Sequence, residues 1–192
     1  RKICDSFLER PDSFDIVEQV LNSNHSFHLK IYTLLIFSNF VEYRWETLPS
    51  EGCVELRNFI AQFINNITTT PDPALSNENR QALARYANNV LLNILNFDWP
   101  EEWPSFISDI LEVSSSSPEM CANTFLLLQN LAQEFTEFAE NTLSSNRQGE
   151  MSSTFISEFP LIIPVMEMAL TSTDTPELVN SVLSSLRIFI KA

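Results

Sequence analysis

Few residues in this sequence have the spacing that metal binding or nucleophilic catalysis requires. His25 and His28 are three residues apart, but no third or fourth ligand lies near them in the sequence, and zinc sites need three or four. The cysteines Cys4, Cys53 and Cys121 are odd in number and far apart, which fits neither a disulfide framework nor a metal site. The sequence therefore predicts no metal centre.

Acidic pairs are the other candidates for chemistry. Glu101 with Glu102, and Glu134 with Glu137, could provide an acid and a base only inside an enclosed site that shifts the pKa of one carboxyl. On the helices of a repeat protein such acids usually form a solvated face. The chain has only two glycines and no glycine-rich phosphate loop. We therefore expect no catalytic residue, no cofactor and no enzymatic activity.

Composition limits the class of protein and its partners. Hydrophobic residues make up 44% of the 192 residues and charged residues 19%, which excludes general disorder. The formal net charge of -14 repels phosphate backbones and anionic lipid surfaces, so we expect no direct binding to nucleic acid. No uninterrupted apolar run reaches 18 residues, so we also expect no membrane-spanning helix.

Hydrophobic periodicity predicts helices almost throughout the chain. Nine helices are expected, the first before Pro11 and the others near residues 12–21, 26–44, 49–67, 78–97, 104–113, 118–141, 153–170 and 176–191. Residues 144–151 are polar and contain Gly149, which predicts a flexible loop. Pro160 and Pro164 should kink the helix that contains them. The helix at 26–44 is apolar almost all round, which predicts packing against several neighbours.

The helices pair with a period of about 40 residues, which is typical of helical solenoids. We predict an all-α fold, a right-handed superhelix of about four helical hairpins plus a partial first one. Apolar residues near both ends, such as Ile3 and Ile190, lead us to expect one segment, residues 1–192, of a longer array. Trp45, Trp99 and Trp103 are interpreted as packing residues of the turns rather than as ligand-stacking residues.

Polar side chains recur along one side of three of these helices. Two interpretations stay open for them: a hydrogen-bonding wall that contacts a folded protein, or plain solvation. The residues are His28, Ser38, Asn39 and Glu42 at 26–44, Arg85, Asn89, Asn93 and Asn96 at 78–97, and Asn123, Asn130, Gln133 and Glu137 at 118–141.

Several motifs resemble nuclear transport receptors of the importin-β superfamily. In the first half these are Tyr-Arg-Trp at 43–45, Leu-Pro at 48–49 with Glu51, and Leu-Arg-Asn-Phe-Ile at 56–60. Asp-Trp-Pro at 98–100, Trp103 and Ser-Phe-Ile at 105–107 resemble the exportins of that superfamily that are receptors for leucine-rich nuclear export signals. Further similarities lie at Cys121, Asn123, Glu134 and Phe138, at 149–151, 157–159 and 183–184, and at Leu186.

The resemblance implies a HEAT-repeat solenoid, importin-β N-terminal-like at first and exportin-like further on. It also implies that the polar residues named above line the concave face of the solenoid and bind the GTP-bound Ran GTPase. Contact with phenylalanine-glycine nucleoporins is implied as well. Export cargo would bind only in the full-length receptor, because the cargo groove of the family lies beyond residue 192. The expected location is nucleus and cytoplasm, with shuttling through the nuclear pore. The alternative function is a generic helical-repeat scaffold for cytoplasmic complexes.

Overall fold

The computed structural model describes residues 13–70, 72–135, 144–172 and 176–190. Within these ranges the regular structure is eight α-helices and one short 3-10 turn, Trp45–Thr47, without a β-strand. The predicted all-α class is confirmed, while the helix predicted before Pro11 lies outside the described residues. The helices are α1 (Ser13–Asn22), α2 (Phe27–Arg44), α3 (Ser50–Thr69), α4 (Asn77–Asp98), α5 (Phe106–Ser114), α6 (Pro118–Glu134), α7 (Ser145–Ser172) and α8 (Pro176–Phe189).

Local sequence explains where several helices begin. The Ser26 hydroxyl accepts a hydrogen bond from the Leu29 N–H at 3.4 Å and caps α2. Ser117 accepts from the Met120 N–H at 3.0 Å and caps α6, whose first residue is Pro118. These side chains satisfy backbone N–H groups that have no partner inside the helix.

The segment predicted as a flexible loop is largely helical, so that prediction is wrong. Helix α7 begins at Ser145, and the Ser144 hydroxyl accepts from the Arg147 N–H at 3.3 Å. The Arg147 guanidinium donates to the Trp99 carbonyl at 2.6 Å, and Met151 is fully buried. These distant contacts stabilise a first turn whose polar composition predicts a loop.

Helix α7 is also longer and more apolar than expected. Its residues Asn146–Thr171 have the length and composition of a helix that could cross a membrane, although no uninterrupted apolar run of 18 residues occurs there. Only 22% of its most apolar window is buried within the chain. The other residues of this window are half-buried, as Phe159 is, or exposed, as Leu161 is.

The helices form two compact units, residues 1–97 and residues 98–192. In the first unit, Phe14 of α1 packs on Phe37 of α2 and edge-on against Phe59 of α3, with ring centroids 6.1 and 5.5 Å apart. Arg80 of α4 donates to the carbonyl of Thr68 in α3 at 3.3 Å. Aromatic packing and a few hydrogen bonds thus connect the four helices of this unit.

In the second unit, α6 packs against α8, and α7 packs against α5, α6 and α8. An aromatic cluster joins the last three helices: the Phe155 ring lies 5.4 Å from both Phe135 and Phe189. The buried Ser185 hydroxyl of α8 donates to the Phe125 carbonyl of α6 at 3.2 Å. This core fixes the faces of α6 and α7 that remain exposed.

Candidate protein-binding faces

Helix α2 has one buried side and one exposed side that is unusually apolar. Thr33, Leu34, Phe37 and Val41 are among its buried residues. On the opposite side, spaced by three or four residues, lie the side chains that we call the α2 outer face: Leu29, Tyr32, Leu35, Asn39 and Tyr43. Tyr32 is 56% exposed and Tyr43 is 64% exposed. Of the predicted site residues, His28, Asn39 and Glu42 are exposed on this side.

The sequence did not predict that the apolar residues of the α2 outer face are exposed. A helix that is apolar all round predicts burial on several sides, yet Leu29 and Leu35 are 41% and 42% exposed. The signal that could have found the face is the recurrence of tyrosine with a neutral amide on one side of the helix. Tyrosine has a polar hydroxyl and tolerates a half-wet position.

Helix α4 places its predicted site residues at two depths. Arg85 and Asn89 are exposed, whereas Asn93 and Asn96 are half-buried. The side-chain amide of Asn93 donates to the Ser38 hydroxyl of α2 at 2.9 Å and to the Ser38 carbonyl at 3.4 Å. The structure therefore brings Ser38 and Asn93 together, as a hydrogen-bonded joint between α2 and α4.

In the second unit, α6 offers fewer polar groups than its sequence suggests. Gln133 is exposed and Asn130 is half-buried, but Asn123 is only 9% exposed. Asn123 presents little surface to a partner, because it lies on the side of the helix that carries Met120 and Leu127. Glu137 lies outside the described residues.

The tryptophans pack as the sequence predicts, but to different degrees. Trp45 and Trp99 are buried. Trp103 is half-buried: its ring lies 5.1 Å from that of Phe106, and its indole N–H donates to the Asp109 carboxylate at 2.8 Å. Trp45 and Trp99 therefore present no ring face to a ligand, and Trp103 is partly covered by Phe106.

Titratable groups show modest effects of burial. Burial raises the pKa of Cys121, Glu134 and Glu158, and one carboxylate oxygen of Glu158 is buried with no hydrogen-bond partner in the described part of the chain. Burial also lowers the pKa of Lys30, an effect that the charge of Asp72 partly opposes. Among the described residues no three His, Cys, Asp or Glu side chains cluster closely enough to bind a metal.

Comparison with known proteins identifies similar chains across eukaryotes. Residues 80–192 match the family described as Exportin 1-like protein, and residues 1–66 match the importin-beta N-terminal domain. Exportin-1 of Drosophila melanogaster is 27% identical over 190 residues, which is 99% of this chain and 18% of that protein. Exportin-1 of Dictyostelium discoideum is 26% identical over 98% of this chain and 18% of its own length. The chain thus spans less than a fifth of the length of these curated relatives.

Proposed function

The chain belongs to the exportin 1-like protein family, and on that premise we propose that it is the N-terminal HEAT-repeat segment of a nuclear export receptor. It binds the GTP-bound form of the Ran GTPase and acts by binding rather than by catalysis. The receptor shuttles through the nuclear pore between nucleus and cytoplasm. Phenylalanine-glycine nucleoporins are further partners, and export cargo binds outside this chain.

The α2 outer face is the observation that carries the proposal. It points away from the core, so packing between helices leaves it exposed. Its five residues are two tyrosines, two leucines and an amide, and the charged Glu42 lies beside them on the same side of α2. The centres of protein interfaces are depleted in charged residues and enriched in tyrosine, and tyrosines are frequent among the residues that dominate affinity. This composition supports a partner with a folded surface.

The neighbouring polar residues extend the proposed site. Arg85 and Asn89 of α4 are exposed and supply hydrogen bonds at the border of the apolar centre, as His28 and Glu42 do on α2. Ser38 and Asn93 act differently, because their mutual hydrogen bond holds α2 and α4 in fixed positions. Asn96 on α4 is a further polar contact in the proposal. Asn130 and Gln133 on α6 belong to the second unit and are proposed separately as polar contacts of that unit.

Selectivity for the GTP form follows from differential binding. In small GTPases the γ-phosphate and its magnesium ion order the switch segments, which are released on hydrolysis. A receptor surface that fits only the ordered conformer binds the GTP form and shifts the population toward it. A rigid, preformed helix face such as that of α2 suits this task, because little ordering of the receptor accompanies binding.

The proposed site is tested by removing its aromatic centre. We expect Tyr32→Ala combined with Tyr43→Ala to weaken binding to Ran loaded with a non-hydrolysable GTP analogue by about tenfold or more. The matched control is Leu183→Ala with Ile190→Ala, two exposed apolar residues of the second unit. The control should bind as the parent does. Equal binding by all three proteins, or equal loss in both variants, would show that the α2 outer face is not the site.

A further inference from the structure

Helix α7 has a second exposed face that the proposed GTPase site does not use. Its buried residues Phe155, Ile162, Met166 and Ala169 lie on one side. The opposite side, at spacings of three or four residues, is what we call the α7 outer face: Ser157, Pro160, Leu161, Pro164 and Met168. Leu161 is 48% exposed and Met168 is 46% exposed.

Two prolines give this face unusual backbone chemistry. Pro160 and Pro164 have no N–H group, so the carbonyls of Ile156 and Pro160 lack the donor that a helix normally supplies four residues later. Both prolines are exposed, and these carbonyl oxygens therefore lie on the solvent side of α7. Backbone carbonyls are strong hydrogen-bond acceptors, and water or a partner must satisfy them. The α7 outer face thus offers backbone hydrogen-bond acceptors beside apolar side chains.

The charge around the face has one sign. Between Arg147 and Arg187 the sequence contains no lysine, arginine or histidine, whereas Glu150, Glu158 and Glu167 all lie on α7. Glu167 is exposed, next to Met168. A net charge of -14 adds a negative potential over the whole chain. This surface therefore attracts cations and repels anionic partners such as acidic lipids.

We propose that the α7 outer face docks a basic amphipathic helix of another protein. Apolar side chains of the partner pack between Leu161 and Met168, which lie two turns apart, about 10 Å along the helix. Lysine or arginine side chains of the partner donate to the carbonyls of Ile156 and Pro160 and pair with Glu167. The surface lies in the second unit and does not depend on the proposed binding of Ran.

The probe for this proposal is a synthetic helix of leucine and lysine, about 18 residues or five turns long, with a leucine–glutamate helix as its counterpart. Binding to residues 1–192 is followed by fluorescence anisotropy of the labelled peptide. We expect the basic peptide to bind and the acidic peptide not to bind. Leu161→Ser with Met168→Ser should weaken binding about tenfold, and Glu167→Lys should weaken it as well.

A matched control separates docking from general charge attraction. Leu183→Ser with Ile190→Ser removes two apolar residues elsewhere in the second unit that are at least as exposed, and should leave the affinity unchanged. The proposal is overturned if the basic peptide does not bind, or if the α7 variants bind it as tightly as the parent. It is also overturned if the chain binds phosphatidylcholine vesicles in preference to the peptide and loses that binding with Leu161→Ser and Met168→Ser, because the face then recognises a lipid surface.

Discussion

Asn93 and Asn89 lie one turn apart on α4 and have similar sequence signals, yet the structure gives them different tasks. The Asn93 amide is held by Ser38, whereas the Asn89 side chain is exposed to solvent. Sequence placed both in one polar stripe, because helical spacing shows which side of a helix a residue occupies and not which neighbouring helix it meets. The partner Ser38 is 55 residues away in the chain.

We predict that Asn93→Ala lowers the free energy of unfolding by about 1 kcal/mol, since it removes the hydrogen bond and leaves the Ser38 hydroxyl without that donor. Asn89→Ala, the matched control, should stay within about 0.5 kcal/mol of the parent. Urea unfolding followed by circular dichroism measures both. Equal stability of the two variants would mean that the hydrogen bond between Asn93 and Ser38 contributes nothing to the free energy of unfolding.

Glu158 gives the clearest pH prediction. Burial raises its pKa, so the contribution of this carboxyl to stability is complete below the ordinary glutamate pKa and is lost as the pH rises through the raised value. Glu158→Gln removes the buried charge and should raise the melting temperature at neutral pH by about 1 to 3 °C, with little change near pH 4. Glu167→Gln, at an exposed position of the same helix, is the control. A rise in melting temperature at both pH values, or a rise in the control variant, would contradict the assigned effect of burial on Glu158.

Helix α7 shows that the formation of a helix can depend on contacts with residues far away in the sequence, here those of the turn at Trp99. Periodicity located most helices within a few residues, because each buries an apolar stripe that can be identified from spacing alone. The first turns of α7 were missed, since they depend on the bond from Arg147 to the Trp99 carbonyl, 48 residues away. The α2 outer face was missed for a related reason: an all-round apolar helix does not reveal which side the core covers.

The turn before α5 yields a prediction for two tryptophans. Trp99 is fully buried, so Trp99→Ala should cost about 3 to 5 kcal/mol, as for other large aromatics removed from a core. Trp103 is half-buried beside Phe106, and Trp103→Ala should cost about 1 to 2 kcal/mol, closer to an ordinary mutation. Thermal and urea unfolding rank the two variants. A larger loss of stability for Trp103→Ala than for Trp99→Ala would show that Trp103, and not Trp99, is the main core residue of this turn.

At the scale of the whole molecule, the chain combines a strong negative charge with several exposed apolar faces. Sequence alone provided the all-α class, the net charge and the resemblance to exportins. It could not assign faces to partners, because exposure depends on how helices pack within each unit. The α2 outer face and the α7 outer face lie in separate units and differ in chemistry, one neutral and tyrosine-rich, the other apolar and rich in acceptors.

The central claim, recognition of the GTP-bound state of Ran, is tested most directly by one pair of dissociation constants. Residues 1–192 are titrated over immobilised Ran loaded either with a non-hydrolysable GTP analogue or with GDP, at the same salt concentration. We predict that the affinity for the GTP form is at least about tenfold higher than the affinity for the GDP form. Equal affinity for both forms would indicate a scaffold that does not sense the nucleotide, and absence of binding to either form would contradict the proposed function outright.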